Sequence, residues 1–551
     1  MIKGTGIIVS LAAIAALWIA AVGTGSLGTD DTNHRLTMAH VWITHAPEVP
    51  SDLPPPLSRK DTQHGIVGRN GKRVIFYDPG QSFLMAPADW LGTHLARVGA
   101  VTDAKGLRIW TINWLVFQPL NVALVLLCFW TMRLLGFELR LAALASLLWL
   151  IATTVLPYSQ IDWQNNQVLL FSLLSIALCL RSRSSAHRGW VIASGAAAGA
   201  AVLMRASAVF HLITAGLFLL FTLRQERTSW REAVTRLVCW AGGAAPFILI
   251  GRIFDYLRYG KWLATGQSTW LANINTDPLY HGLPLMPPGY PFINPASEGI
   301  LGVLFSPAKS LFIYDPLLLP CLLVAIWAWR RLTPYVRAVA IVALINLAFH
   351  LVLTSKLDFW HGDMAWGARY HVTSIHLLLV ALLPVFVGRA LRASRPWAWA
   401  AWSIVVLSTL AQVLAVSMPS GVEIAAEDFK EPVICLEDEW NSRLEFRLAA
   451  RAWDLYCYAS GSTALTCPEQ VARRAEIAHP AECRAMIQQF RRVNRPAFFP
   501  FEPSHRIFGY RKELALWLLL SAGALLGAGV WSVRLARDIR LAPTTALQPG
   551  I

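Results

Sequence analysis

The sequence predicts an all-α polytopic membrane protein with about twelve transmembrane helices, amphipathic helices along the surface in the first outer loop, and a small disulfide-stapled outer domain. Three observations predict it. The 551-residue chain is 55% apolar and only 15% charged, where a soluble chain carries about 25% charge. Its mean hydropathy is +0.46. The apolar residues fall into about a dozen runs, most of them about long enough to cross ~30 Å of hydrocarbon as a helix. Finally, the connectors between runs alternate in charge, short and basic on one side, long and mixed on the other. A transmembrane β-barrel would need short alternating strands. Long uncharged runs such as 141–156 exclude it.

The runs are 6–22, 111–131, 141–156, 168–180, 190–204, 207–223, 237–253, 311–329, 336–353, 375–387, 398–416 and 514–531. One set of connectors carries Lys3; Arg133 and Arg140; Arg181, Arg183 and Arg188; Arg224, Arg227 and Arg231; Arg330 and Arg331; Arg389, Arg392 and Arg395; and Arg534, Arg537 and Arg540. Cytoplasmic loops are enriched in Lys and Arg, so this set faces inward, with both termini cytoplasmic. The expected location is a bacterial inner (plasma) membrane. Many of the 24 tryptophans lie near run ends, as an interfacial belt predicts. The first run could also be read as a cleaved signal peptide with Lys3 as its charged region. The next segment lies outside in either case. The formal net charge of +15 does not point to nucleic acid. The basic residues sit at run ends rather than in the continuous patch that tracks phosphates.

Four long connectors then face outward: 23–108, 255–310, 356–369 and 419–512, together with the short 157–167 turn. The chain divides into a transmembrane region over 1–418, an outer segment over 419–512, and a last span with a cytoplasmic tail over 513–551. Cys128, Cys179, Cys239 and Cys321 lie within spans and read as small apolar packing residues. Cys435, Cys457, Cys467 and Cys483 all fall in the last outer segment. Four cysteines in one extracytoplasmic segment predict two disulfides, with three pairings open. A zinc site is the alternative, but no close Cys-x-x-Cys pair supports it.

The chemistry-bearing residues lie in the outer connectors. The first opens on Thr29-Asp30-Asp31-Thr32-Asn33-His34-Arg35, followed by apolar Leu36, Ala39, Val41 and Trp42. This reads as a surface helix with Asp30 or Asp31 at its N-cap. An acidic pair there can simply complement the helix dipole. It can also be a carboxylate held at the membrane surface to take a proton from an acceptor hydroxyl. Arg35 shares the face of Asp31 four residues earlier. Tyr77-Asp78-Pro79-Gly80-Gln81-Ser82 then forms a turn, and the run to Val98 reads as a second surface helix. Tyr77, Gln81 and Arg35 are candidates for substrate binding.

Arg205 stands between two short apolar stretches on the outer side, against the positive-inside trend. A charge at mid-bilayer costs at least ~2.5–3.5 kcal/mol, so it belongs at the outer surface or in a wet cavity. It reads as a snorkelling arginine or, more sharply, as an anion ligand. Lys309 stands on the same face just before a span. The 356–369 connector and its edge gather Trp360, His361, Asp363, Arg369 and Tyr370. Aromatic faces suit sugars, and the guanidinium fork suits phosphate. A phosphate-bearing lipid would present its headgroup at the depth of Arg205, Lys309 and Arg369.

At these residues the chain resembles the GT-C superfamily of membrane glycosyltransferases, the broad group holding protein O-mannosyltransferases and bacterial aminoarabinose transferases. It looks most like the bacterial family-39-type members. The resemblance rests on Asp30-Asp31 with Arg35 after the first span, and on Gly80-Gln81-Ser82-Phe83-Leu84-Met85-Ala86-Pro87. It also rests on Arg205 between two short spans, Leu304–Pro307 with Lys309 beyond it, and Trp366-Gly367-Ala368-Arg369-Tyr370. It covers roughly residues 1–390. It implies a GT-C-like fold, a polyprenyl-phosphate sugar donor, a catalytic base at Asp30 or Asp31, and Arg205 and Arg369 as ligands of the donor phosphate. The acceptor would be an envelope glycan, glycolipid or protein. Two adjacent aspartates stand where the family often shows Asp-Glu or a lone Asp, so the base is not assigned between them. Asp162 is the only acid in the 157–167 turn. No cofactor is required, although hard carboxylates at Asp30-Asp31 suit Mg²⁺ or Mn²⁺.

Two rival readings compete with the enzyme. A transporter or flippase for a lipid-linked sugar would place charges and broken helices at mid-membrane. Here polar residues cluster on one side, and His350 is the clearest polar residue within a span. A non-catalytic envelope assembly protein would keep the fold and bind partners through the cysteine segment.

Overall fold

A computed structural model of the chain describes residues 2–23, 27–56, 58–99, 103–183, 187–362, 365–417, 443, 446–452 and 510–541. The four outer cysteines and Asp363 lie outside the described residues. Lipid offers backbone groups no hydrogen-bonding partner, so an apolar run that crosses it must close its own bonds as a helix. The chain does this at each of the twelve predicted positions, in α1 (Ile2–Val22), α5 (Gln118–Leu134), α6 (Leu139–Ile151), α8 (Gln164–Ser182), α9 (Gly189–Met204), α10 (Val209–Gln225), α11 (Trp230–Tyr259), α15 (Leu318–Ala328), α16 (Pro334–Ser355), α17 (Val372–Ala390), α18 (Arg395–Val416) and α19 (Tyr510–Leu541).

Eight of the described helices are long and apolar enough to cross a membrane by length and composition. This chain is therefore an integral membrane protein, and the count of about twelve is reduced to eight by that measure. The shortfall has local causes. α6 gives way after Ile151 to a bend and the six-residue α7 (Val155–Gln160). The 311–329 run is broken at Asp315-Pro316 into α14 (Leu311–Tyr314) and α15. Asp315 is buried there, accepting 2.8 Å hydrogen bonds from both the backbone N–H and Oγ1 of Thr154.

The core is arranged around α17, whose residues are all buried except Arg389. Packed about it are α5, α6, α8, α15 and α16. α1 lies alongside α19. α9 is held between α8 and α11. The α9–α11 contact uses small residues. A Cβ on Gly195 would stand 1.8 Å from the Trp240 carbonyl oxygen, and one on Gly243 would stand 2.0 Å from that of Ile192. Glycines at such a seam let two helix backbones approach closely, the usual device for helix association in lipid.

The basic connectors gather at one end. Arg188 pairs with Glu232 at 2.9 Å, and Arg236 pairs with Glu232 at 2.9 Å and Glu226 at 3.3 Å. Arg331 and Arg389 both lie over the Trp327 ring. The opposite end carries the long connectors. There α2 (Asp30–Thr44), α3 (Gly80–Val98) and α4 (Ala104–Ile112) pack through Leu36, Ala39, Met85, Ala88 and Ile112. Buried Asp89 joins them, 2.8 Å from His40 Nδ1 and 2.6 Å from Arg108 Nε. The first outer connector also forms a two-residue ribbon, Ile66–Val67 antiparallel to Arg73–Val74. The second connector is laced onto it. Arg59 donates to the carbonyls of Ile274, Leu283 and Pro284, and Arg73 grips Asp277 with two bonds of 3.2 and 2.7 Å.

The N-cap of α2 is Thr29, whose side chain accepts from the Thr32 N–H. Asp30 and Asp31 occupy the first turn instead. This corrects the cap assignment and frees both carboxylates from capping.

Candidate functional site

Five pieces of chain converge where the long connectors meet the bundle: the first turns of α2, the turn before α3, the 161–167 turn into α8, the break after α9 and the break before α17. Each is placed by a specific contact. Gly80 begins α3 so close to α9 that a Cβ there would lie 2.4 Å from the Leu203 carbonyl oxygen. No larger residue would let Tyr77 and Asp78 reach the Arg205 break. The Ala206 N–H donates to Asp78 Oδ2 at 3.0 Å, tying the same two segments. Asn165 donates to the Arg369 carbonyl at 2.6 Å, and Gln164 to that of Met204 at 2.5 Å. The N-terminus of α8 thus sets both breaks. Fully buried Gln81 donates to the Asp162 carbonyl at 2.6 Å, which also accepts from Thr32 Oγ1 at 3.1 Å.

Asp31 and Asp30 then part company. Asp30 is exposed. Asp31 turns inward and accepts a 2.6 Å hydrogen bond from the Tyr77 hydroxyl. The Arg35 guanidinium lies over the Tyr77 ring, 4.3 Å from its centroid, and His34 stacks against the same tyrosine. Burial alone would push the Asp31 carboxyl up. The positive charges of Arg35 and then Arg369, with the Tyr77 bond, bring it below the ordinary aspartate value. Burial, and then the Asp31 charge, push the Tyr77 hydroxyl well above its usual range. Asp31 is therefore a carboxylate and Tyr77 a neutral donor. Burial drives the His34 imidazole down despite the acids nearby.

Across from this cluster, Arg205 and Arg369 both stack on Tyr370, 5.2 and 5.0 Å from its ring centre. Arg369 also donates to the Tyr370 hydroxyl at 3.0 Å and lies over Trp163. Arg35, Arg205 and Arg369 lie within electrostatic reach of one another. Among the described residues no carboxylate stands at ion-pair distance from Arg35 or Arg205. A guanidinium stacked on an aromatic face can present its planar fork to phosphate or carboxylate.

The position of Arg205 follows from α9. Its 16 residues span about 24 Å at 1.5 Å per residue, short of the ~30 Å hydrocarbon core. Arg205 therefore stands about 24 Å from the Arg188 end, directly after the helix and not midway along it.

Seven of the predicted residues thus come together: Asp31, Arg35, Tyr77, Gln81, Arg205, Arg369 and Tyr370. Three others form a separate buried group beside them. Lys309 is fully buried and donates to the Ala365 carbonyl at 2.8 Å. Trp360, 2% exposed, packs on Gly302 with its indole N–H 3.4 Å from Glu298. Its face is not open as a sugar platform. His361 is buried against Trp360. Burial, then the charges of Lys309 and Arg443, hold its imidazole down to about 2, so it is neutral.

Sequence reasoning gave no role to Asp78 or Asp162. Burial raises the Asp78 carboxyl, against the Ala206 hydrogen bond and the Arg35 charge. Asp162 is buried, and its Oδ2 lacks any partner among the described residues. Burial pushes its carboxyl well above the ordinary range and favours the neutral acid. The signals for both were present: a lone acid in an outer turn, and an acid directly before Pro-Gly. Among the described residues no three His, Cys, Asp or Glu side chains gather as a metal site.

No family model matches this chain, and no curated protein matches it. Solved structures do. ArnT from Cupriavidus metallidurans in the apo state is similar over 97% of this chain and 77% of its own, at 15% identity and a TM-score of 0.42. The same protein bound to undecaprenyl phosphate matches with the same coverage, at 14% identity and a TM-score of 0.43. The archaeal oligosaccharyltransferase AglB from Archaeoglobus fulgidus, in complex with an inhibitory peptide and a dolichol-phosphate, matches at 14% identity and a TM-score of 0.43. That match covers 82% of this chain and 59% of AglB.

Proposed function

We propose that this chain is a GT-C-type membrane glycosyltransferase that moves a sugar from a polyprenyl-phosphate donor to an envelope acceptor on the outer face of a bacterial inner membrane. The observation that carries this reading is the pairing of Asp31, bound to Tyr77 beside Arg35, with Arg205 and Arg369 stacked on Tyr370. A carboxylate suited to accept a proton stands beside guanidiniums suited to hold a phosphate.

The chemistry is one displacement at the anomeric carbon. The bond from that carbon to the phosphate oxygen breaks, and the bond to the acceptor oxygen forms with inversion. The acceptor proton passes to Asp31. The lipid phosphate leaves with an added negative charge, which Arg205 and Arg369 are placed to match. The leaving phosphate needs no proton, so the acid half of the two-carboxylate glycosidase scheme is not required. A carboxylate held below its ordinary value is a weak base. Its work before the transition state is to orient the hydroxyl, with proton transfer coming late.

Asp30, exposed and unattached to this cluster, is not the base. The test uses a deletion strain complemented with wild type, Asp31→Asn or Asp30→Asn, with envelope glycans read by mass spectrometry. Asp31→Asn is expected to lower transfer by about 10²–10⁴-fold, the usual worth of a general base, at unchanged protein level. Asp30→Asn is expected to keep most of it. Normal glycan in the Asp31→Asn strain would refute the assignment.

A further inference from the structure

Arg369 is carried on a segment that contains two glycine turns. Gly362 and Gly367 both adopt left-handed φ values, 70° and 66°, and glycine is the residue least restrained to one conformation. Donors from outside the segment hold several of its carbonyls: Asn165 grips that of Arg369 at 2.6 Å and the Tyr158 hydroxyl that of Trp366 at 3.1 Å. The Ala365 carbonyl, between the two glycines, accepts from Lys309 Nζ at 2.8 Å and from Arg447 Nη1 at 3.0 Å. Both cations are buried, at 0% and 1% exposure. One carbonyl oxygen has two lone pairs, so it can take both donors. Lys309 arrives from the connection before α14. Arg447 arrives from the outer C-terminal segment.

Further contacts of that segment surround the same loop. Arg443 pairs with Glu298 at 2.5 Å and donates to the Asp358 carbonyl at 3.1 Å. Arg451 lies over Trp366, and Leu448 packs against the Tyr314–Trp366 pair. Gly362 lies directly against the Arg369 stem, where a Cβ would stand 2.7 Å from Cγ. Any shift of the loop is therefore transmitted to the guanidinium.

We propose that Lys309 and Arg447 are positioning residues: their joint grip on the Ala365 carbonyl holds the Arg369 segment in the geometry that receives a lipid phosphate. The short stretch that carries Arg447 is then a working part of the site. A residue that acts through another gains nothing once that other is removed, and this sets the test. It rests on the reading of Arg369 as a phosphate ligand, so the experiment tests both separately.

The probe is undecaprenyl phosphate, titrated into the purified full-length protein in lipid nanodiscs, with Kd measured for wild type and variants. Arg369→Ala is expected to weaken binding about ten-fold and Arg447→Ala about five-fold. Arg447→Lys, which keeps a cationic donor, is expected to recover most of that loss. Arg369→Ala/Arg447→Ala is expected to bind no more weakly than Arg369→Ala alone. Lys309→Met, approaching from the other side, is expected to repeat the Arg447→Ala result and serves in its place should that variant not fold. Wild-type affinity in both Arg447→Ala and Lys309→Met beside a weakened Arg369→Ala would overturn the inference and leave the site reading intact. So would losses that add in the double variant. Wild-type affinity in Arg369→Ala would overturn the site reading itself.

Discussion

The Asp31 carboxyl is pulled in two directions, up by burial and down by Arg35, Arg369 and Tyr77. The downward pull wins. Folding therefore gains from the ionised form above the unfolded pKa, and this gain is lost as pH falls through the lower folded value. Donor binding changes the balance. A phosphate that engages Arg369 takes up part of the charge that lowers Asp31, while burial remains, so Asp31 becomes more basic once the donor is in place. On the proposed role of Asp31, activity is expected to fall as pH drops through its pKa. The profile of kcat/KM for the donor reports the free enzyme and that of kcat the complex. The acid limb of kcat is expected at higher pH than that of kcat/KM. The reverse order would contradict the electrostatic account. None of this was legible in the sequence, which offered Asp30 and Asp31 as equals. The difference between them is set by Tyr77, 46 positions away.

At the scale of elements, the placement of Arg205 depends on α9. That helix is locked to α11 by glycines whose Cβ positions are occupied by carbonyl oxygens of the neighbour. Gly195→Leu is expected to separate the two helices and shift the Arg205 end. Overpacking a tight seam costs typically about 1–3 kcal/mol. The measurement is thermal stability in detergent together with undecaprenyl phosphate affinity, and both are expected to fall. An unchanged melting temperature would show that the seam is looser than described. Gly242, one residue from Gly243, has open space at its Cβ and should tolerate alanine. Apolar runs located these helices. Their hydropathy masked the break in the 311–329 run, although Asp315-Pro316 is a local helix breaker; the Thr154 partner of Asp315 comes from a distant segment. Nor could hydropathy show that Thr29 and not an aspartate caps α2, since each of those residue types makes a good cap.

For the whole molecule, the helical membrane character was the most legible feature, because long apolar runs can satisfy their backbone groups in lipid only as helices. The expected sidedness rests on the distribution of arginine along the chain, and the connectors it assigns to one side pair through Arg188, Glu226, Glu232 and Arg236. The convergence of the outer connectors was not legible. Arg35, Arg205 and Arg369 are separated by 170 and 164 positions, and nothing in either interval specifies their meeting. Lys309 shows the same gap in the other direction. Its sequence context offered a phosphate ligand, and its buried amine instead grips a carbonyl. The central claim, a lipid-phosphate site between Asp31 and Tyr370, is tested most directly by a cryo-electron microscopy structure with undecaprenyl phosphate in nanodiscs. Phosphorus within hydrogen-bonding reach of the Arg205 and Arg369 guanidiniums, with Asp31 on the open side of the headgroup, is the predicted result. A headgroup bound at the Arg188–Glu232 end, or away from both arginines, would contradict it.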